Sequence, residues 1–170
     1  MPENNTFEDQ YDYEFQEGID KSYFFETRNG YFYQINFKES NYLFSDFEEI
    51  NTNLFEFVLD LIYPEKNSKI VLDNLIPATI AAIFRDFFSK NGHDSVIYII
   101  DSSDSRQAAR KRKFDNWVQL FKGDEFFKLD AEIIDNNKNK IFSSLIIKAD
   151  NPHFNAIIKY FGSLSSENSK

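Results

Sequence analysis

Val96-Ile97-Tyr98-Ile99-Ile100 runs into Asp101-Ser102-Ser103-Asp104-Ser105-Arg106, and that polar turn opens onto Gln107-Ala108-Ala109-Arg110-Lys111-Arg112-Lys113-Phe114-Asp115-Asn116-Trp117-Val118-Gln119-Leu120-Phe121. The first five residues carry no polar alternation, which predicts a central strand covered on both faces. The last fifteen have helical spacing. Gln107, Arg110, Phe114, Trp117, Val118 and Phe121 share one arc, with Lys111, Arg112, Asp115 and Gln119 opposite. Arg110 therefore lies inside the apolar stripe, and Arg106 at its border one turn earlier. Asp104 and Gln107 have capping-box spacing, so the helix is expected to begin at Asp104 or Ser105 and to close at Lys122-Gly123-Asp124.

Upstream, Pro77 suits the opening of a helix, Ile80, Ile83, Phe84 and Phe87 recur at helical spacing, and Asn91-Gly92 offers a left-handed stop. Leu54 to Tyr63 is a dense apolar run expected to be a strand, and Ile70-Val71-Leu72 a short one. Asn41 to Glu49 is ambiguous. Earlier still, Tyr31, Tyr33, Ile35 and Phe37 alternate with Phe32, Gln34 and Asn36, as in a half-buried antiparallel strand. Asn29-Gly30 tolerates the positive φ of a hairpin turn from Ser22–Glu26 into it. Residues 1–20 are acidic, with no Lys or Arg. Tyr11 to Phe15 suits an edge strand, but a loosely held arm is the plainer reading. A sharper one has this acidic stretch docking on the basic helix.

Downstream, Glu125–Asp135 and Lys140–Ala149 read as a hairpin around Asn136-Asn137-Lys138-Asn139. Asn151-Pro152 starts a last helix with Phe154, Ile157, Ile158 and Phe161 buried, Gly162 stopping it and 163–170 left as a polar tail. The expected fold class is α+β: one domain over residues 21–162, a mainly antiparallel sheet packed with about three helices near 77–91, 105–121 and 152–161.

The chain has 170 residues, 42% hydrophobic and 18% aromatic, which supports a core and excludes a disordered polymer. It has no cysteine, hence no disulfide and no thiolate metal site. No apolar run reaches membrane-spanning length and no leader-like start is present, so the expected setting is cytoplasmic. The net charge of -9 opposes nucleic-acid binding. The segment 104–122 carries six basic and two acidic residues, yet consecutive cations fan around a helix and the rest of the chain is strongly acidic. A solvated face, or a patch for an acidic protein segment, fits better than DNA or RNA.

Candidate chemistry converges on the 101–117 corner. A guanidinium facing a core demands a partner, and Asp101 and Asp104 are the nearest carboxylates in sequence to Arg110. Asp101 and Arg110 could simply lock the strand-to-helix corner. The functional alternative is an anion site in which Ser102, Ser103, Ser105 and the helix N–H groups join Arg106 and Arg110, beyond the carboxyl end of a central strand. Asp101 and Asp104 oppose an anion unless paired, and the turn lacks glycine. Two aspartates three apart could instead hold a hard cation such as magnesium, for an enzyme acting on a phosphorylated or nucleotide substrate. That spacing alone assigns no metal, and no cofactor motif or catalytic constellation is present. Asp73, Asp94, Asp130 and Asp135 read as solvated, and His93 and His153 as surface residues.

The run Asp101-Ser102-Ser103-Asp104-Ser105-Arg106-Gln107-Ala108-Ala109-Arg110, continued through Lys111-Arg112-Lys113-Phe114-Asp115-Asn116-Trp117, resembles the signature of an uncharacterised bacterial family of Bacteroidetes type, a domain of unknown function. The hairpin Tyr23-Phe24-Phe25-Glu26-Thr27 to Gly30-Tyr31 is similar to that family's opening, and the resemblance covers most of 20–160. It implies no activity, cofactor or partner. The functional expectation is a small binding protein with a ligand site of Asp101, Ser102, Ser103, Asp104, Ser105, Arg106 and Arg110, recognising a small anionic ligand or an acidic protein segment.

Overall fold

The computed structural model describes residues 9–44, 52–65, 72–100, 105–134 and 137–167. Seven strands form one sheet: β1 Tyr13–Gln16, β2 Lys21–Glu26, β3 Phe32–Glu39, β4 Leu54–Tyr63, β5 Ser95–Ile100, β6 Phe126–Ile134 and β7 Lys140–Lys148. Three helices cover it: α1 Leu75–Lys90, α2 Gln107–Phe121 and α3 Phe154–Glu167. The strand order is β1-β2-β3-β4-β5-β7-β6. Every pairing is antiparallel except β4 with β5. A parallel neighbour needs a crossover, and α1 supplies it. The fold is α+β.

Alternation in the strands decides the layers. Tyr23 and Phe25, then Tyr33, Ile35 and Phe37, then Phe55 and Phe57 point to the face packed by α1 and α2. There Phe37 stacks on Phe87 at 4.0 Å, and Phe84 on Phe121 at 4.7 Å. On the other face Ile157 and Phe161 of α3 meet Leu54, Ile97, Leu145 and Ile147. β5 is thus covered on both sides, as its unbroken apolar run requires. The β2–β3 hairpin turns on Gly30 at φ 77°, with the Gly30 N–H donating to Thr27 O.

The acidic N-terminal stretch enters the sheet as edge strand β1. Beyond β2 and the β2–β3 turn, its described contacts include α1 and the residue before it: the Tyr11 N–H donates to Thr79 Oγ1 and the Tyr11 hydroxyl to Asp73, while Lys90 Nζ lies 3.9 Å from the Phe15 ring centre.

Element ends depart from the sequence expectations. α1 starts at Leu75, whose N–H donates to Asp73 Oδ1, and Pro77 sits within a first turn that needs no N–H there. It ends on Asn91, whose side chain also donates to Phe87 O, and Gly92 is not left-handed. α2 starts at Gln107, not Asp104 or Ser105, because Ser105 takes φ 60° and breaks the helical path. The helix has Arg106 at its cap and no side-chain cap bond there, and Asp104 of the expected capping box lies outside the described residues. α3 starts at Phe154 behind Asn151, whose Oδ1 accepts the His153 N–H, and it runs through Gly162 to Glu167. One glycine costs a helix only about 1 kcal/mol, and the buried Ile157 and Phe161 hold this one. The short strand at 70–72 falls mostly outside the described residues, as do 45–49; Asn41–Phe44 is a 3-10 turn. Among the described residues no helix is long and apolar enough to cross a membrane.

Several carboxylates read as solvated are structural. Asp94 accepts the Asn53 N–H beneath the start of β5, and burial pushes its carboxyl up despite the Asn53 bonds. Ionised Asp94 therefore carries a penalty in the folded state that is complete above its raised folded pKa and disappears as pH falls below the unfolded value. Asp94→Asn keeps an oxygen for Asn53 and removes that penalty. It is expected to raise the melting temperature at pH 7, with the gain gone once the medium is more acidic than the ordinary carboxylate range. Calorimetry across pH checks this, and a gain that survives in acid would contradict it.

Candidate functional site

β4 and β5 pair over only three positions, Leu54↔Ser95, Phe55↔Val96 and Glu56↔Ile97. Beyond them β4 follows β3 out to Tyr63, while β5 follows β7 to Ile100. Both remain strands, so from Phe57 and Tyr98 onward their facing edges have no strand partner among the described residues. Strand twist pulls neighbours apart unless hydrogen bonds hold them together. The opening lies at the carboxyl ends of the parallel pair β4 and β5, where open sheets with crossover helices tend to bind ligands.

The resulting crevice has a volume of about 340 Å³. Glu56, Phe57, Val58 and Leu59 line one wall, Tyr98 and Ile99 the other, and α2 adds Arg110, Lys113 and Trp117. Its floor is aromatic. Phe57 lies 5.7 Å from Tyr98 and 6.5 Å from Trp117, centre to centre, and Tyr98 lies 4.2 Å from Phe114. Arg110 is half-buried and Lys113 exposed. Burial pushes the Tyr98 hydroxyl up, against an opposing pull from the Arg110 charge. A cation thus sits within electrostatic reach of an aromatic wall that is partly shielded from water.

On the opposite flank of α2 one cation of the basic run, Lys111, is held by carboxylates. Lys111 Nζ lies 2.8 Å from Asp115 and 3.2 Å from Asp130 of β6. Lys128 Nζ lies 2.8 Å from Asp115 and also contacts Asp130, which accepts the Ser144 hydroxyl at 2.7 Å. Burial alone would raise the Asp130 carboxyl; the hydrogen bonds from Lys128 and Ser144 outweigh it and hold the group low. Its hydrogen bond to Asp115 raises Lys111. Asp130 is exposed, as expected, and is also a member of a charge cluster.

Of the seven residues expected to form the ligand site, Asp101, Ser102, Ser103 and Asp104 lie outside the described residues, so no pairing of Asp101 with Arg110 is described. Ser105 and Arg106 are exposed, and neither lines the crevice. Arg110 does, from the inward arc of the helix. The walls from β4 and β5, with Lys113 and Trp117, were missed. The available signal was the order strand, helix, strand across 54–100, which implies a parallel pair with a crevice at its carboxyl end. Among the described residues no three His, Asp or Glu side chains converge as metal ligands.

A model of a family of unknown function, DUF6169, matches residues 72–163. The match takes in α1, β5, α2 and both strands of the last hairpin, together with the β5 wall and the whole α2 side of the crevice. Neither a curated protein nor a solved structure matches the chain.

Proposed function

This chain belongs to the DUF6169 family, whose model spans more than half of it and assigns no activity, so we propose a function from the crevice itself: binding of an elongated ligand with an anionic group and an amide-bearing arm. The observation that carries this is the early divergence of β4 and β5, with Arg110 and Lys113 beside the gap. Backbone N–H and C=O groups on two facing strand edges that have no strand partner among the described residues are ready partners for an extended chain that has its own amides. A phosphate or carboxylate on such a ligand matches the two cations, and the Tyr98–Phe57–Trp117 floor suits an apolar or planar segment. Coenzyme A and ATP are test cases of this chemistry: both are phosphorylated nucleotides, and only the first carries an amide arm.

Trp117 is the chain's single tryptophan, so its emission reports the crevice directly. Titration with coenzyme A, pantetheine, ATP and inorganic phosphate is expected to shift Trp117 emission most with coenzyme A, which has both halves. Melting temperature should rise with it. At a hundredfold excess over Kd the added stability is about 2.7 kcal/mol, or roughly 5–10 °C for a chain of this size. Absence of any shift in emission or melting with all four probes overturns the reading.

A further inference from the structure

Within α2 the fully buried side chains begin at Phe114; residues 107–113 contribute only half-buried and exposed ones. Apolar packing therefore anchors the second half of the helix. The first half, which carries Arg110 and Lys113, is tied to the sheet by charge. We propose that Lys111, Asp115, Lys128 and Asp130 form a clasp that sets the rotation of α2, and so aims Arg110 and Lys113 at the crevice. The functional half of this inference rests on the ligand-binding reading above.

The geometry is a closed alternation of two cations and two carboxylates. Lys111 reaches both Asp115 on its own helix and Asp130 on β6, and Lys128 of β6 reaches both carboxylates in turn. Ser144 of β7 fixes Asp130 from below. Isolated exposed ion pairs contribute little. Here Lys128 is only 12% exposed and Lys111 28%, and each carboxylate has at least two partners. Such a network holds geometry better than separate pairs do. Lys111 directly follows Arg110, so pulling one flank toward β6 fixes the angle at which the other meets β4 and β5. None of the four lines the crevice. They are positioning residues.

The test uses full-length protein, coenzyme A as probe and Trp117 emission as signal, beside amide hydrogen exchange over 107–113 without ligand. Lys111→Met and Asp130→Asn are expected to raise Kd roughly threefold to tenfold and to speed exchange in 107–113. Lys111→Arg should restore both. Lys140→Met, which breaks the exposed pair with Glu132, should change neither. Asp130→Asn keeps an acceptor for Ser144 and serves if Lys111→Met fails to fold. Should wild-type protein bind no probe, the ligand reading fails while exchange still decides the clasp: faster in the variants supports it, unchanged overturns it. Should wild type bind, an unchanged Kd in both variants overturns the aiming role.

Discussion

Phe57→Ala is expected to lower the free energy of unfolding by about 3–5 kcal/mol, a fall of roughly 6–20 °C in melting temperature. Phe57 is 1% exposed, and it occupies the first position at which β4 has lost β5. Its ring lies within 5.8 Å of Phe37, Phe84, Tyr98 and Phe114, and 6.5 Å from Trp117. It is the only ring touching side chains of β3, β5, α1 and α2 at once among the described aromatic contacts. Alanine removes that hub at a place where no strand edge can close in to fill it, so little of the cavity cost should be recovered by collapse. Phe127→Ala is the comparison: that ring is 39% exposed and meets Phe154 on the other face. It should cost only about 1 kcal/mol. Urea titration of both variants checks the difference, and a Phe57→Ala cost close to that of Phe127→Ala would show that the crevice floor is not part of the core. A red shift of Trp117 emission in Phe57→Ala without ligand is expected too, since the indole loses its neighbour on the sheet.

Periodicity made much of this architecture legible. Alternation of Tyr33, Ile35 and Phe37 set one face of β3, and the unbroken 96–100 run announced a strand covered twice. What could not be read was lateral order. The Leu54–Tyr63 run looks the same whether its partner stays with it or leaves after three residues, because its apolar density serves α1 and β3 in either case. The start of α2 and the end of α3 were misplaced for local reasons, while α2 ends at Phe121 as expected. A left-handed Ser105 sets the start of α2 back to Gln107, and buried contacts carried α3 across Gly162. The inward position of Arg110 was legible, since it needed only the angle between positions 110, 114 and 117. One surface it faces, from Tyr98 and Ile99, lies about a dozen residues back, but the other comes from β4, some fifty residues earlier, and no local pattern connects that strand to it.

Arg110→Met carries the largest expected effect on binding: Kd for coenzyme A should rise about tenfold to hundredfold, the loss of one charge-assisted contact in a partly dry site. Methionine keeps most of the apolar stem, so the packing beside Tyr98 and Trp117 survives and the loss is one of charge. Lys113→Met should cost less, about threefold to tenfold, because that side chain is exposed and screened. Arg110→Lys should fall between wild type and Met, keeping the charge but not the planar fork. Raising the salt concentration should weaken wild type more than Arg110→Met, since the variant has lost the attraction that salt screens. The competing role for Arg110 is that of a strut fastening the turn before α2, and it makes the opposite prediction. A strut lost lowers the melting temperature of Arg110→Met while leaving the probe's affinity and its salt dependence as they were. Measuring both quantities on one protein separates the two roles: affinity lost at unchanged melting temperature places the guanidinium on the ligand.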